Sequence, residues 1–307
     1  MNLSVATALL ALSMPALGSS FSASARGTTG AEFLNLGAGA RAASMGQASA
    51  AVADDASAIY WNPAAMTRVA HRSATLMHAA YVNASFFDYA GYVQNEGKLG
   101  AFGMAIQYFS AGKINQTDDT GASVGSFNPY DMALYWSYAR EVAGISVGVT
   151  AKLVDSNILN TASAGAADIG LLSPRYLDGR LQLAFTAVNL GGDTLVYDQE
   201  GAQLPLTLRL GAALTPFRDL RFALDAVMPK SDNPYVATGM EYWLKNDGDW
   251  RFAGRAGFNS QTVGSIDGFT GVSLGFGVAS RVASFDYAFV PLGGLGQAHR
   301  ISLTSYF

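Results

Sequence analysis

The sequence has no cysteine, and only 14% of its residues are charged, where about 25% is usual for a soluble protein. Without cysteine it can form neither a disulfide framework nor a thiolate metal site. Its 19 Lys and Arg do not outnumber its 23 Asp and Glu, and no basic cluster occurs, which argues against a nucleic-acid partner. Long apolar runs are also missing. Beyond residues 1–25, no stretch free of Asp, Glu, Lys and Arg reaches the ~20 residues of a membrane-spanning helix. The chain is therefore not a helical membrane protein.

The first 25 residues have the pattern of an export signal. They contain an apolar centre, a Pro and Gly break, and Ala23 and Ala25 at the spacing that signal peptidase prefers. We therefore predict a signal peptide at 1–25, cleaved before Arg26, and an exported mature chain. A buried N-terminal helix is the alternative interpretation of this segment.

Half of the residues are apolar, and from position 73 onward they alternate with small or polar residues. Such alternation predicts β-strands with two different faces. Most segments are longer than the 5 or 6 residues of an ordinary strand and match the 9 to 11 that cross a bilayer when tilted. The prediction is an all-β fold, a transmembrane antiparallel up-and-down barrel of about 14 strands at 73–307. In a soluble sandwich, the alternative, the polar face would carry Lys and Glu, whereas here it is rich in Gly, Ala and Ser. The segments are 73–82, 85–94, 98–110, 127–140, 143–155, 161–172, 180–190, 204–215, 219–228, 235–244, 249–258, 268–279, 281–290 and 298–307.

Connection lengths support a barrel in an outer membrane. Long connections at 111–126, 191–203 and 259–267 alternate with short ones, as the external loops and periplasmic turns of such barrels do. The long connection at 173–179 and the tight turn at 83–84 are exceptions. The chain ends on Phe307, which closes an alternating strand. This ending resembles the C-terminal signal that the outer-membrane barrel assembly machinery reads.

Residues 26–72 do not alternate and are rich in Ala. A fourteen-stranded barrel is too wide for side chains alone to fill, so it needs water or a plug. We predict that 26–72 is this plug, or hatch. The motifs that support a family assignment are Glu32-Phe33-Leu34, Gly39-Ala40-Arg41-Ala42, Met45-Gly46, Ala51-Val52-Ala53-Asp54-Asp55-Ala56-Ser57-Ala58 and Tyr60-Trp61-Asn62-Pro63-Ala64-Ala65.

In these motifs the segment resembles the N-terminal hatch of the PorV/PorQ family, whose members are related to FadL-type outer-membrane transporters. The resemblance implies a fourteen-stranded barrel with the hatch folded into its lumen. It also implies one of two roles, since FadL relatives pass hydrophobic molecules through such barrels, whereas PorV receives exported cargo in type IX secretion.

The charged residues on predicted lumen faces are candidates for contact with the hatch, because charges facing the acyl chains are costly. We expect them to pin the hatch to the wall; a polar conduit or a charge switch that releases the plug is the alternative. The predicted hatch or gate residues are Arg41, Gly46, Asp54, Asp55, Asn62 and Pro63, with Glu32 as a further partner. The predicted lumen charges are Arg209, Arg221, Asp225, Glu241, Arg251, Arg255, Asp286 and Arg300, together with Asp131, Lys152 and Asp168.

Two features of the sequence could indicate a catalytic or metal site, but both are better explained as parts of the barrel. Residues 271–275 match the G-x-S-x-G elbow of hydrolases, but they continue an alternating strand, whereas the elbow requires a strand-to-helix turn. The three histidines have no metal-ligand spacing. We therefore predict no catalytic residue, no metal and no cofactor.

The sequence thus predicts a non-enzymatic barrel in the outer membrane of a Gram-negative-type bacterium. Its predicted partners are outer-membrane lipid, the barrel assembly machinery, and secretion-system components or exported proteins that bind the external loops. The alternative is a FadL-like transporter of hydrophobic small molecules, gated by the hatch.

Overall fold

The computed structural model describes residues 21–191, 194–197, 201–244 and 248–307. Residues 1–20, most of the predicted signal peptide, lie outside this part. The chain forms a closed barrel of fourteen antiparallel strands, in which the first strand pairs with the last. This confirms the predicted fold. The strands are β1 (Arg72–Ala80), β2 (Phe86–Asn95), β3 (Ala101–Ser110), β4 (Ile114–Thr117), β5 (Ser123–Phe127), β6 (Tyr130–Val142), β7 (Ile145–Asn157), β8 (Thr161–Leu172), β9 (Leu181–Leu190), β10 (Thr194–Val196), β11 (Gly201–Gln203), β12 (Thr207–Phe217), β13 (Leu220–Pro229), β14 (Tyr235–Leu244), β15 (Arg251–Asn259), β16 (Val272–Ala279), β17 (Ala283–Pro291) and β18 (Gln297–Tyr306).

Every predicted segment coincides with a barrel strand, and the ends differ by four residues or fewer. The four remaining strands form two small hairpins, β4 with β5 and β10 with β11, outside the barrel sheet. They lie in two connections that we predicted as loops. Strands of three to five residues are too short to show a clear alternation, which is why the sequence did not indicate them.

Alternation sorts the residues of each strand between lipid and lumen. Leu210, Leu224 and Leu303 are each about half exposed on the outer surface, whereas Thr207 and Gly211 are buried against the interior. Small inward residues leave room for a second layer of chain inside the barrel. In the part of the chain that the structure describes, no helix is long and apolar enough to span a membrane.

Arg72, the last residue of the predicted hatch, is the first residue of β1. The segment that precedes β1, which we call the hatch, lies inside the barrel, where most of residues 31–69 are buried. It contains two short helices, α1 (Ala40–Ser44) and α2 (Ala58–Trp61), and 3-10 turns at Glu32–Asn35 and Pro63–Arg68. Many of its alanines are fully buried against the wall. Because alanine has a small side chain, the hatch and wall backbones approach closely.

The hatch crosses the lumen from one end of the barrel to the other. We call the end that holds Arg72 and Phe307 the terminal end, and the opposite one the loop end. At the loop end, the Arg26 guanidinium pairs with Asp232 at 2.7 Å and the Gly30 amide donates to the Gln203 carbonyl at 2.9 Å. The hatch then reaches the terminal end, where β1 begins. Both ends of the plug are therefore tied to the barrel.

Candidate functional site

The centre of the hatch is joined to the wall through Arg41 of α1. Its Nε and Nη2 donate to Oε2 and Oε1 of Glu241 on β14, at 2.7 and 2.9 Å. Its Nη1 donates to Asp54 Oδ1 at 2.5 Å. The Glu241 side chain has no exposed surface. Three residues predicted from sequence to bind hatch and wall together therefore meet here.

Arg255 extends this contact around the wall. It lies directly across from Glu241 in the sheet, donates Nε to Glu241 Oε2 at 2.9 Å, and donates Nη1 to Asp286 Oδ1 at 2.7 Å. The result is a chain of alternating charges, Asp54–Arg41–Glu241–Arg255–Asp286, which we call the charge network. Charge-assisted bonds of this kind are strong where water is excluded.

Two further guanidiniums border the charge network on the terminal-end side. Arg221 Nη1 lies 3.4 Å from Asp54 Oδ2 and 3.5 Å from Glu241 Oε1, and Arg68 Nη2 lies 4.0 Å from Asp54 Oδ2. Burial opposes ionisation of Asp54, but Arg41, Arg221 and Arg68 outweigh it and lower the pKa of this carboxyl to about 2. Arg68 was missed in the sequence because it belongs to the non-alternating hatch. Its place as the last arginine before the hatch returns to the wall is the only signal it gives.

Asp55 turns away from these cations although it follows Asp54. Its Oδ1 accepts hydrogen bonds from the Ser57 amide at 2.8 Å and the Ser57 hydroxyl at 2.5 Å. Burial, and next the charge of Asp54, raise the pKa of Asp55. The two adjacent aspartates therefore occupy different environments, one paired with arginines and one in a local turn.

A second hatch–wall contact lies at Asp225 of β13. Its Oδ2 accepts from the backbone amides of Ser49 and Ala50 at 2.9 and 3.1 Å, and from Arg209 Nη1 at 3.1 Å. Arg209 also donates to the Gln47 carbonyl at 3.0 Å. This predicted pair of lumen charges thus holds a hatch turn by its backbone.

The other predicted lumen charges are distributed along the wall. Arg300 donates to the Gly37 carbonyl of the hatch at 3.0 Å. Lys152 pairs with Asp168 at 2.8 Å between β7 and β8, and Asp131 accepts from the Ser156 hydroxyl. Arg251 stacks on Trp243 at 4.4 Å and is exposed at the first residue of β15, so the structure leaves it outside the charge network.

Asn62 and Pro63 fix the hatch where it turns toward the terminal end. Asn62 Nδ2 donates to the carbonyls of Ala50 and Leu171 at 3.0 and 3.1 Å. Its Oδ1 accepts from the Ala64 amide at 3.0 Å, and Pro63 begins the following 3-10 turn. One fully buried amide thereby links two hatch segments to strand β8.

Gly46 lies where hatch and wall backbones touch. Its φ is +65°, and an added Cβ would come within 2.7 Å of backbone atoms of Thr238 and Phe258. On the wall, a Cβ at Gly257 would overlap the Gly46 amide nitrogen. Only glycine fits at either position.

Some space remains inside the barrel, and both polar and apolar side chains line it. A cavity of about 240 Å³ lies toward the loop end, and another of about 20 Å³ lies beside Arg41 and Asp286. The charged residues that line the larger one are Arg26, Glu32, Lys152, Arg209 and Asp232. Leu34, Tyr60, Trp61, Val188, Pro229 and Tyr235 also line it.

The residues of the hydrolase-like motif do not converge on one point. Ser273 Oγ accepts from the Gly46 amide at 3.1 Å, Asp286 pairs with Arg255, and His299 hydrogen-bonds to Tyr287 at 2.7 Å. Within the described ranges, no group of His, Asp and Glu could hold a metal ion.

One protein family matches most of this chain. The family model described as "Type IX secretion system protein PorV" matches residues 22–225, about two thirds of the chain. No curated protein sequence matches.

Several solved structures share the fold. The Ralstonia pickettii toluene transporter TbuX is 14% identical with a TM-score of 0.56, covering 88% of this chain and 98% of its own. The Pseudomonas putida toluene transporter TodX is 11% identical with a TM-score of 0.57, covering 88% and 96%. A Pseudomonas aeruginosa FadL homologue is 14% identical with a TM-score of 0.54, covering 84% and 95%. At these identities the likeness extends to the fold alone.

Proposed function

We propose that this chain, which belongs to the PorV family of type IX secretion system proteins, is an outer-membrane accessory of protein export that binds partners through its loop end. The observation that carries the proposal is the hatch, which fills the lumen and is bonded to the wall by buried charges. A barrel whose lumen is plugged in this way offers surfaces for binding but no open passage. Partner proteins would then bind at the loops.

The contacts of the hatch oppose its release. Moving it would break Arg41 from Glu241, Asp225 from the amides of Ser49 and Ala50, and Arg300 from the Gly37 carbonyl. All of these contacts would have to break together, because the hatch carries one partner of each. An opening motion would need free energy from a bound partner to replace these contacts.

The connection lengths support one orientation in an outer membrane. The three longest connections lie at the loop end, although the connection 173–180 at the terminal end is longer than the loop-end turn 158–160. We therefore place the terminal end toward the periplasm and the loop end outward. Phe307 then lies at the periplasmic end, where the assembly machinery would read it.

Transport of hydrophobic molecules is the second candidate, supported by the fold shared with toluene transporters. A transport path for such molecules is lined mainly by apolar and aromatic side chains. Here the lumen cavity is lined by the charged residues Arg26, Glu32, Lys152, Arg209 and Asp232, but also by Leu34, Tyr60, Trp61 and Val188. Its lining is therefore compatible with either role, and the export proposal rests on the hatch that is bonded to the wall. Neither role requires catalysis or a cofactor, and we assign none.

A covalent lock on the hatch tests the choice between the two roles, and the absence of cysteine makes it simple to install. The hydroxyls of Thr67 in the hatch and Ser146 in β7 are 2.8 Å apart, so Thr67→Cys with Ser146→Cys replaces a hydrogen bond by a disulfide. At the loop end, Gly30→Cys with Ala202→Cys joins positions whose Cβ atoms would lie 3.0 Å apart, slightly closer than in a relaxed disulfide.

The doubly locked barrel is compared with itself after reduction and with the four single-cysteine variants. We expect export of cargo to the medium and copurification of partner proteins to persist when the hatch is locked. Uptake of a labelled fatty acid or of toluene that stops on oxidation and returns on reduction would instead support the gated transporter. Loss of export in the oxidised state alone would contradict the proposal.

A further inference from the structure

The outer surface of the barrel carries an ion pair where the alternation of a membrane barrel predicts apolar side chains. His78 of β1 and Asp88 of β2 lie directly across from each other in the sheet, and His78 Nδ1 is 2.7 Å from Asp88 Oδ1. Both side chains point outward, with 59% and 43% of their surfaces exposed. Ionisable side chains within the membrane-spanning part of a chain are rare and usually have a polar partner. The position of this pair therefore points to a polar partner in the membrane.

The aromatic side chains around the pair place it at the depth of lipid headgroups. The His78 ring lies 5.9 Å from that of Phe86, the Phe86 ring lies 6.0 Å from that of Tyr108, and Tyr108 stacks on Tyr130 at 5.8 Å. A row of rings near one end of the strands is the girdle that marks the membrane interface. A lipid bound here would have its headgroup beside the pair and its chains against the strands below.

An apolar groove of about 400 Å³, which we call the outer groove, runs from the pair toward the terminal end on the same surface. Ala90 of β2 forms its floor, because its small side chain lies between the larger Leu76 and Ile106 on the two flanking strands. Ile301 and Leu303 of β18, both about half exposed, extend its wall. The ion pair lines the same groove. An acyl chain is the apolar occupant that a membrane supplies at this surface.

The atoms that the pair leaves free are hydrogen-bond acceptors. Because a carboxylate can only accept, His78 Nδ1 carries the proton that joins it to Asp88, and Nε2 of the neutral ring then offers a lone pair. In the described part of the chain, neither His78 Nε2 nor Asp88 Oδ2 has a hydrogen-bond partner. Among the described residues on the outward faces of β18, β1, β2 and β3, the other charged or histidine side chains are His299, bonded to Tyr287, and Arg72 at the terminal end. Asp88 is the anion of this surface, and an ammonium group, which donates hydrogen bonds and is positively charged, complements it.

We propose that the outer groove binds a lipid with an ammonium headgroup, whose acyl chain lies along Ala90 and whose nitrogen donates to Asp88 Oδ2 and His78 Nε2. A primary ammonium can donate to both acceptors, whereas a quaternary ammonium has the same charge but no N–H group. The site does not depend on whether the barrel serves export or transport, because it uses neither the loops nor the lumen.

Native mass spectrometry of the purified, delipidated full chain in neutral detergent tests the site. Short-chain phosphatidylethanolamine is compared with phosphatidylcholine of the same chain length, since the two lipids differ only in methylation of the headgroup nitrogen. Asp88→Asn removes the negative charge, and Ala90→Leu fills the groove. Their matched controls are Asp155→Asn, which changes another outward carboxylate three residues from the loop end of its strand, and Ala226→Leu, which changes another outward alanine.

We expect phosphatidylethanolamine to bind more tightly than phosphatidylcholine. It should bind Asp88→Asn about tenfold more weakly than Asp155→Asn, as the loss of one charge-assisted contact predicts. Ala90→Leu should lose binding of both lipids, whereas Ala226→Leu should keep it. Equal affinities for the two lipids, or equal affinities of Asp88→Asn and Asp155→Asn, would overturn the proposal, and so would binding to Ala90→Leu that matches binding to Ala226→Leu.

Discussion

Arg41 and Glu241 are 200 positions apart in the chain, yet two parallel hydrogen bonds of 2.7 and 2.9 Å join them inside the barrel. The pair connects the middle of the hatch to the wall, where the Glu241 side chain is fully buried and the Arg41 side chain is mostly buried. Glu241 also accepts a hydrogen bond from Arg255, and Arg41 also pairs with Asp54. The Glu241 carboxylate therefore holds two guanidiniums.

Removing the charge of Glu241 tests this role directly. Glu241→Gln leaves Arg41 and Arg255 without their shared anion, so we expect the free energy of unfolding to fall by about 3–5 kcal/mol. Denaturant unfolding in detergent measures the loss. Asp249→Asn is the matched control, because Asp249 and Arg281 form an exposed pair at 4.0 Å whose contribution is about 0–1 kcal/mol. Equal effects of the two substitutions would contradict a structural role for the charge network.

The pKa of Asp54 predicts an acid limit to stability. This pKa is about 2 in the folded chain and about 3.9 in the unfolded one, so the unfolded state binds the proton more tightly. The contribution of Asp54 is therefore complete above about pH 4 and is lost as the pH falls toward 2. Thermal unfolding between pH 6 and 2 would show the decline. Asp54→Asn should have lower stability at pH 6 and a flatter profile; an unchanged profile would show that other carboxylates cause it.

Close contact of hatch and wall predicts different effects for two glycines of one strand. Gly257→Ala places a Cβ on the Gly46 amide and should cost about 1–3 kcal/mol or more, the usual penalty of overpacking. Gly254→Ala adds the same methyl group where nothing lies within 4 Å, so it should leave stability unchanged or slightly raised. Melting of the two purified variants provides the comparison. If both behave alike, the hatch does not contact β15 as described.

The free energy of unfolding should fall when Asn62 loses its two donor bonds as well as when it loses its side-chain volume. Asn62→Asp keeps an acceptor for the Ala64 amide but puts carboxylate oxygens against the carbonyls of Ala50 and Leu171. We expect both Asn62→Asp and Asn62→Ala to lower the free energy of unfolding by about 2 kcal/mol or more at neutral pH, since buried polar groups lose their partners. Raising the pH from 5 to 8 should lower the free energy of unfolding of Asn62→Asp but not that of Asn62→Ala. A pH-independent Asn62→Asp would argue against the two donor bonds.

Phe307 should matter for assembly rather than for the stability of the finished barrel. Its side chain is largely exposed at the terminal end, as is that of Phe217, which serves as the control. We expect Phe307→Ala to lower the amount of barrel in the outer membrane, with an unchanged melting temperature of the purified protein. Phe217→Ala should lower neither. Equal membrane levels of the two variants would remove Phe307 as an assembly signal.

The strands were predictable because alternation is local. Each residue of β12 or β16 takes its face from its immediate neighbours, and a membrane outside the barrel demands apolar side chains at every second position. The short hairpins β4–β5 and β10–β11 were not predictable, because a few residues within a loop carry too little pattern.

The sequence by itself determined the barrel and its approximate number of strands, since both follow from a period of two, and it indicated which charges to expect on the lumen face. Only the tertiary structure decided how those charges pair. Register across the sheet set Arg255 beside Glu241, and the path of the hatch brought Arg41 to the same carboxylate while leaving Arg251 at the rim. No local pattern encodes these meetings, because they depend on closing the barrel around a segment that has no periodicity of its own.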